Sequence, residues 1–317
     1  MNLEPEVRNG YMISSETKEL WNVQLQLLDK LLEVCKKYDI TVWAGGGTQL
    51  GAIRHKGYIP WDDDIDICML RSSFDKLMEI GPKEFTHPFF LQSTYTEKDF
   101  PGAFAKLRMD DTTFILRSDI FQDYHQGICL DLFPLDAFPD DPDEYQRFRG
   151  KALSIRENLY MSCYFKGTSK LNPVLLYKYL KGKLYIFING GFYKYHRKYV
   201  DLFRRYSTEE NEYVGSLTLD FDEKHFRFKR SIFDMTIMVP FEDRLIPVPV
   251  GYDEFLTSQY GDYMTPVQAP SLHGNDITID VHRSYMEYLP ELRKKKKEER
   301  RRKMRNLILR VFRIGYF

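Results

Sequence analysis

The sequence predicts an α+β chain, with a mixed sheet, flanking helices and a helical appendage, and three observations carry that expectation. Apolar residues recur at helical spacing across residues 16–38 and give way at once to short β-branched and aromatic runs. Further runs of that kind, parted by polar or glycine-containing turns, continue to about residue 133. After "FPDDPDEY", residues 138–145, the period changes and reads as helical to about Tyr206.

Taken in order, Ser14 and Ser15 open the first helix. Trp21, Leu25, Leu28, Leu32 and Cys35 share a stripe that ends near Lys36 and Lys37. Residues 40–43 read as a strand that stops at three glycines. Residues 48–55 read as a short helix, with Thr48 as N-cap and the glycines leaving its first amides open toward a ligand. Residues 65–70 form the next expected strand, followed by 89–93, 104–108, 112–116 and 128–133. Later, 236–239 and 244–250 read as a hairpin, and 253–260 as a helix.

Length and charge narrow the function classes. The 317 residues suffice for a sizeable core, and 46 basic against 46 acidic residues argue against a nucleic-acid partner. The balance hides an asymmetry: residues 293–313 hold 12 Lys or Arg and 2 Glu, a local +10. The body is correspondingly acidic. Four separated cysteines, Cys35, Cys68, Cys129 and Cys163, show no metal-ligand spacing and read as buried thiols of a reducing compartment. Without a leader-like start or a spanning apolar run, the chain is expected to be cytoplasmic.

The chemistry gathers in "GGGTQLGAIRHKGYIPWDDDIDI", residues 45–67. Residues two apart in a strand share a face, so Asp62, Asp64 and Asp66 are expected on one side and Ile65, Ile67 and Met69 on the other. Crowded carboxylates repel unless a cation compensates, and Mg²⁺ is the economical choice beside phosphates. The bland alternative is a solvated aspartate loop capping a helix at Ser72. An EF-hand fails, because Ile67 stands where glycine is needed and Ser73 where glutamate is needed. The glycines complete neither GxGxxG, where Leu50 intrudes, nor a P-loop, where Ala52 and Ile53 intrude. A glycine-rich strand-to-helix turn followed by a metal-binding strand is the layout of the nucleotidyltransferase fold.

The run "GGGTQLGAIRHKGYIPWDDDIDICMLR" resembles the signature of the LicD family of phosphocholine transferases, which includes fukutin and fukutin-related protein. The likeness continues in "AKLRMDDTTF", "CLDLFPLDAFPDD" and "VPFEDRLIPVPVGYDEFLTSQYGDYMTP", over roughly residues 20–270. It implies a nucleotidyltransferase-like (polymerase-beta-type) fold and Mg²⁺- or Mn²⁺-dependent transfer of a phosphorylated alcohol, typically phosphocholine from CDP-choline, to a glycan hydroxyl. By position, Asp64 and Asp66 match the metal-binding DxD and Asp131 the third carboxylate, these three being the catalytic and metal-binding candidates. On this reading residues 1–140 are the catalytic core with its N-terminal helix and 141–215 a mainly helical region. Residues 216–290 complete the domain, and 291–317 form a basic amphipathic tail.

Gly46, Gly47, Thr48, Arg54, Lys56, Lys106 and Arg108 are the candidate substrate contacts, Lys106 and Arg108 sharing a strand face. For each cation, salt bridging to the aspartates is the competing role. Asp131 is the candidate proton acceptor, and His55 a ligand, an acid or a turn residue. Tyr58 and Trp61 could stack on cytosine or hold choline, and His273 could approach the site. "KYLKGKLYIFINGGFYKYHRKY" and the tail from Arg293 interleave basic with apolar or aromatic residues, which suits an anionic membrane carrying a lipid-linked acceptor. That places the chain at the inner membrane face, touching it through 293–317. The competing functions are transfer from CDP-ribitol, CDP-glycerol or a phosphoethanolamine-type donor, a DxD sugar-nucleotide glycosyltransferase, and a non-catalytic membrane-associated protein.

Overall fold

The computed structural model describes residues 1–164, 172–206, 211–216, 227–268 and 277–314, the side chains of 304 and 307–314 excepted. An N-terminal hairpin, β1 (Glu6–Arg8) and β2 (Tyr11–Ile13), turns at Asn9 and Gly10, both in the left-handed region. Helix α1 (Ser15–Lys37) follows, with the Ser14 hydroxyl accepting from the Thr17 amide. Next come β3 (Trp43–Ala44), α2 (Gly46–His55), β4 (Asp66–Leu70) and α3 (Arg71–Glu84). Strands β5 (Phe89–Gln92), β6 (Ala105–Met109), β7 (Thr113–Leu116) and β8 (Cys129–Ala137) precede three helices, α4 (Pro142–Tyr164), α5 (Pro173–Ile188) and α6 (Phe192–Arg204). The last part holds β9 (Tyr213–Gly215), β10 (Phe228–Lys229), the hairpin β11 (Thr236–Phe241) and β12 (Arg244–Pro249), α7 (Tyr252–Tyr260), β13 (Ile277–Asp280) and α8 (Tyr285–Ile314).

Strand β8 is the spine of a mixed sheet. On one flank it runs parallel to β4, with Asp66 beside Asp131, and β3 closes that edge antiparallel to β4. Its other flank is divided between β6, paired from Cys129 to Leu132, and β9, paired at Asp136 and Ala137. Pro134, which has no N–H to donate, falls in the gap between them. Strands β5 and β10 extend the two branches, while β13 pairs separately with β7.

Alternation decides the two faces of the sheet. Ile67, Met69, Leu107, Leu130 and Leu132 pack beneath Trp21, Leu25, Leu28 and Leu31 of α1, all in one core cluster. Each such side chain contributes about 1.5–3 kcal/mol on burial. The alternate residues Asp66, Lys106 and Asp131 are left on the opposite face.

Several expectations shift. The strand expected over 40–43 shortens and shifts to Trp43–Ala44, and the one expected over 65–70 starts at Asp66. Helix α2 begins earlier than expected, capped by extended Gly45, so Thr48 is not the N-cap. Strand β8 runs on to Ala137 because residues 213–215 come back to pair with its end. The change of period coincides with the start of α4, and all four cysteines are buried and free. Among the described residues no helix is long and apolar enough to cross a membrane.

Candidate active site

Three strands bring Lys106, Asp131 and Asp66 into one cross-strand row. Lys106 Nζ donates to both Asp131 oxygens, at 2.6 and 2.9 Å. Burial opposes the ammonium charge, but Asp131 outweighs it and the Lys106 pKa rises. Helix α2 is clamped to this row: the Gly45 amide donates to Asp66 O at 2.9 Å, and the Asp66 amide to Thr48 Oγ1 at 2.8 Å. Gly46, at φ +44°, adopts a backbone that side chains disfavour, and a Cβ there would stand 3.4 Å from Asp66 Oδ2. The electropositive start of α2 thus faces carboxylates.

The neighbouring aspartates lie before β4, not on it. Asp62, Asp63 and Asp64 form an irregular segment, so the shared strand face expected for Asp62, Asp64 and Asp66 is not what gathers them. Side chains of α1 hold the segment instead: Trp21 Nε1 donates to Asp62 O at 3.0 Å and Gln24 Nε2 to Asp63 O at 2.8 Å. A Cβ on Gly47 would stand 2.8 Å from Asp62 Oδ2. Asp62, Asp63 and Asp64 can each place an oxygen within 4.8 Å of the others, whereas the candidate trio Asp64, Asp66 and Asp131 is not drawn so tightly.

Electrostatics nevertheless ties the groups together. Burial raises the Asp66 carboxyl well above its ordinary range, and Asp64, Asp131 and Asp62 raise it further against the pull of Lys106. Burial, then Asp64 and Asp63, raise Asp62 likewise. A cluster of hard oxygen donors whose mutual repulsion a divalent cation would relieve fits Mg²⁺ or Mn²⁺.

The remaining candidates separate. Arg108 is buried, its Nε donating to Gln92 and its Nη1 to Gly127 O, both at 2.6 Å. Lys56 is exposed at the left-handed C-cap of α2, at the far end from the glycines by about 15 Å of helix. Arg54 donates to His55 Nε2 at 2.9 Å and to Tyr263 O at 2.8 Å. Burial and the nearby Arg54 and Arg8 lower the His55 pKa to about 4. Tyr58 stacks flat on Trp21 inside the core, its ring centroid 4.4 Å away, which withdraws it from any role against cytosine or choline. Trp61 is half-buried, edge-on to Tyr11 and His55. His273 and the side chains of Leu307, Ile308, Leu309, Val311 and Phe312 lie outside the described residues.

The family model for the LicD/FKTN/FKRP nucleotidyltransferase domain matches residues 39–137, the segment that carries the glycine turn, the acidic segment and Asp131. A lipopolysaccharide cholinephosphotransferase LicD of Haemophilus influenzae is 30% identical over 246 residues, 76% of this chain and 89% of that protein. The chain belongs to the LicD family. It is a transferase with a nucleotidyltransferase-like α+β fold, as its signature implied. Uncharacterized proteins of Rickettsia prowazekii and Rickettsia typhi share shorter stretches of 58 residues, 41% and 40% identical. Each stretch is 18% of this chain and 22% or 19% of the relative.

The structure of this LicD-family chain also brings to the site residues that the sequence left without a role. Tyr260, 44% exposed overall, ends α7 with its hydroxyl 3.8 Å from the Gly46 Cβ position, where enclosure of that hydroxyl and then Asp66, Asp62 and Asp64 raise its pKa. It sits in the "SQYGDYMTP" block, which marked likeness but no contact. Trp21 and Gln24 were readable only as part of a helical stripe and its edge.

Proposed function

We propose that this LicD-family chain transfers phosphocholine from CDP-choline to a hydroxyl of a cell-surface glycan precursor of the lipopolysaccharide, capsule or teichoic acid type. The observation that carries the reading is the Lys106, Asp131 and Asp66 row set against the glycine-lined start of α2, in a chain 30% identical to a cholinephosphotransferase. Helix α2 offers the first amides of Gly46, Gly47 and Thr48 to the donor diphosphate. Lys106 and Arg54 add nearby positive charge, with Lys56 and Arg108 contributing from further off. Asp64, Asp66 and Asp131, with Asp62 and Asp63 beside them, would hold Mg²⁺ or Mn²⁺, which would supply charge offsetting the diphosphate and the departing phosphate.

The acceptor oxygen forms a bond to the choline-bearing phosphorus as the bond from that phosphorus to CMP breaks. CMP leaves with the electron pair, and the hydroxyl proton passes to a carboxylate of the row, Asp131 being the proposed acceptor. The reaction belongs on the cytoplasmic side, at the inner membrane face where lipid-linked glycans are met.

CMP release with CDP-choline, CDP-ribitol, CDP-glycerol and sugar nucleotides tests the reading, with and without Mg²⁺. Choline-selective, metal-dependent release that Asp66→Asn abolishes is expected. Preference for another CDP-alcohol would reassign the donor, sugar-nucleotide turnover alone would assign glycosyl transfer, and no turnover with any would remove the catalytic reading.

A further inference from the structure

Helix α5 turns its apolar side outward. Only Gly182 is fully buried, fitted so tightly on α4 that a Cβ would stand 2.6 Å from Asn158 O. At 100° per residue, Leu176, Phe187, Leu180, Leu184, Tyr177 and Ile188 fall on one continuous stripe opposite that contact. Their exposure is high: Phe187 81%, Ile188 68%, Tyr177 66% and Leu180 57%. Lys183 borders the stripe on one side and Lys181 on the other. No acidic residue occurs over 172–198, which holds six Lys or Arg.

We propose that this outward face of α5 seats the protein on an anionic bilayer surface. A water-facing helix normally presents charge, and a stripe of exposed large side chains with lysine borders is the inverse of that arrangement. Apolar side chains enter the acyl boundary while Lys181 and Lys183 remain among anionic headgroups. The charge is complementary to anionic lipid and repels a second copy of the same lysine-bordered face.

The border of the stripe opens toward the side of the sheet that carries Lys106. A cavity of about 750 Å³ between α4 and α5 is lined by Lys181, Arg156, Tyr160 and Phe104, and Lys106 Nζ lies 5.7 Å from the Phe104 ring centroid. A membrane-borne hydroxyl would therefore enter beside α5 toward Lys106 and Asp131. That orientation rests on the transfer reading, whereas the docking does not, because vesicle binding is read without turnover.

Sedimentation of the full-length chain with phosphatidylcholine vesicles, and with vesicles of phosphatidylcholine mixed with phosphatidylglycerol, tests the docking. Preferential binding to the anionic vesicles is expected. Leu180→Asp, Leu184→Asp and Phe187→Asp together should weaken it by about tenfold or more, with unchanged circular dichroism. Phe187→Asp alone, at a largely exposed position, gives a smaller loss should the triple variant fold poorly. Lys295→Glu, Arg301→Glu and Arg302→Glu in the C-terminal helix should leave most of the binding. Equal binding by the α5 variants and the parent would overturn the proposal. So would a parent dimer that the α5 substitutions dissociate without any vesicle binding, which would assign the face to a second copy.

Discussion

Lys106 Nζ lies 2.6 and 2.9 Å from the two oxygens of Asp131, its partner in the register of β6 and β8. A cation bound to Asp131 would be felt by the lysine, and the two charges would compete for one carboxylate. Lys106→Met should tighten Mn²⁺ binding by about fivefold or more, since like charges a few ångströms apart repel by about 1 kcal/mol even at the dielectric of water. The same change should lower transfer. Weaker Mn²⁺ binding in calorimetry would show that Lys106 organises the ligands instead of opposing the ion.

Asp66→Asn should separate catalysis from stability. The carboxyl is destabilised by burial and by Asp64, Asp131 and Asp62, so a neutral amide of the same shape relieves the repulsion. Metal-free protein should melt about 2–4 °C higher, while transfer falls by about three orders of magnitude or more. A lower melting temperature would mean that the charge supports the fold.

The buried pair of Arg71 and Asp136 fastens the start of α3 to the end of β8 through two 2.6 Å hydrogen bonds. Removing one partner leaves the other charge buried, so Asp136→Ala should cost about 3–5 kcal/mol in urea unfolding. Replacing both partners by apolar residues of similar volume should cost less. Equal losses would show that packing at Asp136, not charge, is at stake.

Acid should weaken the fold through buried histidines. Burial, then nearby arginines, lower the His196 pKa to about 4, and burial with Arg108 lowers His125 to about 4. Both folded values lie below the ordinary 6.5, so the unfolded chain takes up protons first as pH falls. Their contribution is complete above pH about 6.5 and is lost between about 6.5 and 4. His196→Gln should flatten that part of the urea midpoint against pH. An unchanged slope would exclude His196 as a source.

The elements legible in the sequence were those whose local pattern coincided with their tertiary use. Trp21, Leu25 and Leu28 recur at helical spacing because one face of α1 packs on the sheet, and Ile67 and Met69 alternate because β4 has two unlike faces. Helix α3 was visible only as a start at Ser72, and the structure carries it to Glu84 through Gly81 and through Pro82, which has no N–H to donate to the carbonyl four residues back. The Asn9 and Gly10 turn was readable and was missed, the flanking strands being only three residues each. Strand β9 and the end of β8 depend on pairing between residues about 80 apart, which no local window contains.

At the site, the carboxylates were visible by type and order, and their arrangement was not. Alternation assigned Asp62 and Asp64 to a strand because Ile65 and Ile67 are apolar, yet pairing begins only at Asp66. Thr48 was legible as a cap by chemistry, but its hydroxyl serves the Asp66 amide. Arg108 shares a strand with Lys106, and only the structure shows Gln92 and Gly127 claiming its guanidinium.

The bonds from Trp21 and Gln24 to the backbone of Asp62 and Asp63 span 41 and 39 residues. The acidic segment is moored more than it is folded, for its shape is borrowed from a helix synthesised well before it. Damage far upstream, such as a cut within α1, would slacken the acidic segment while every carboxylate remained in the chain.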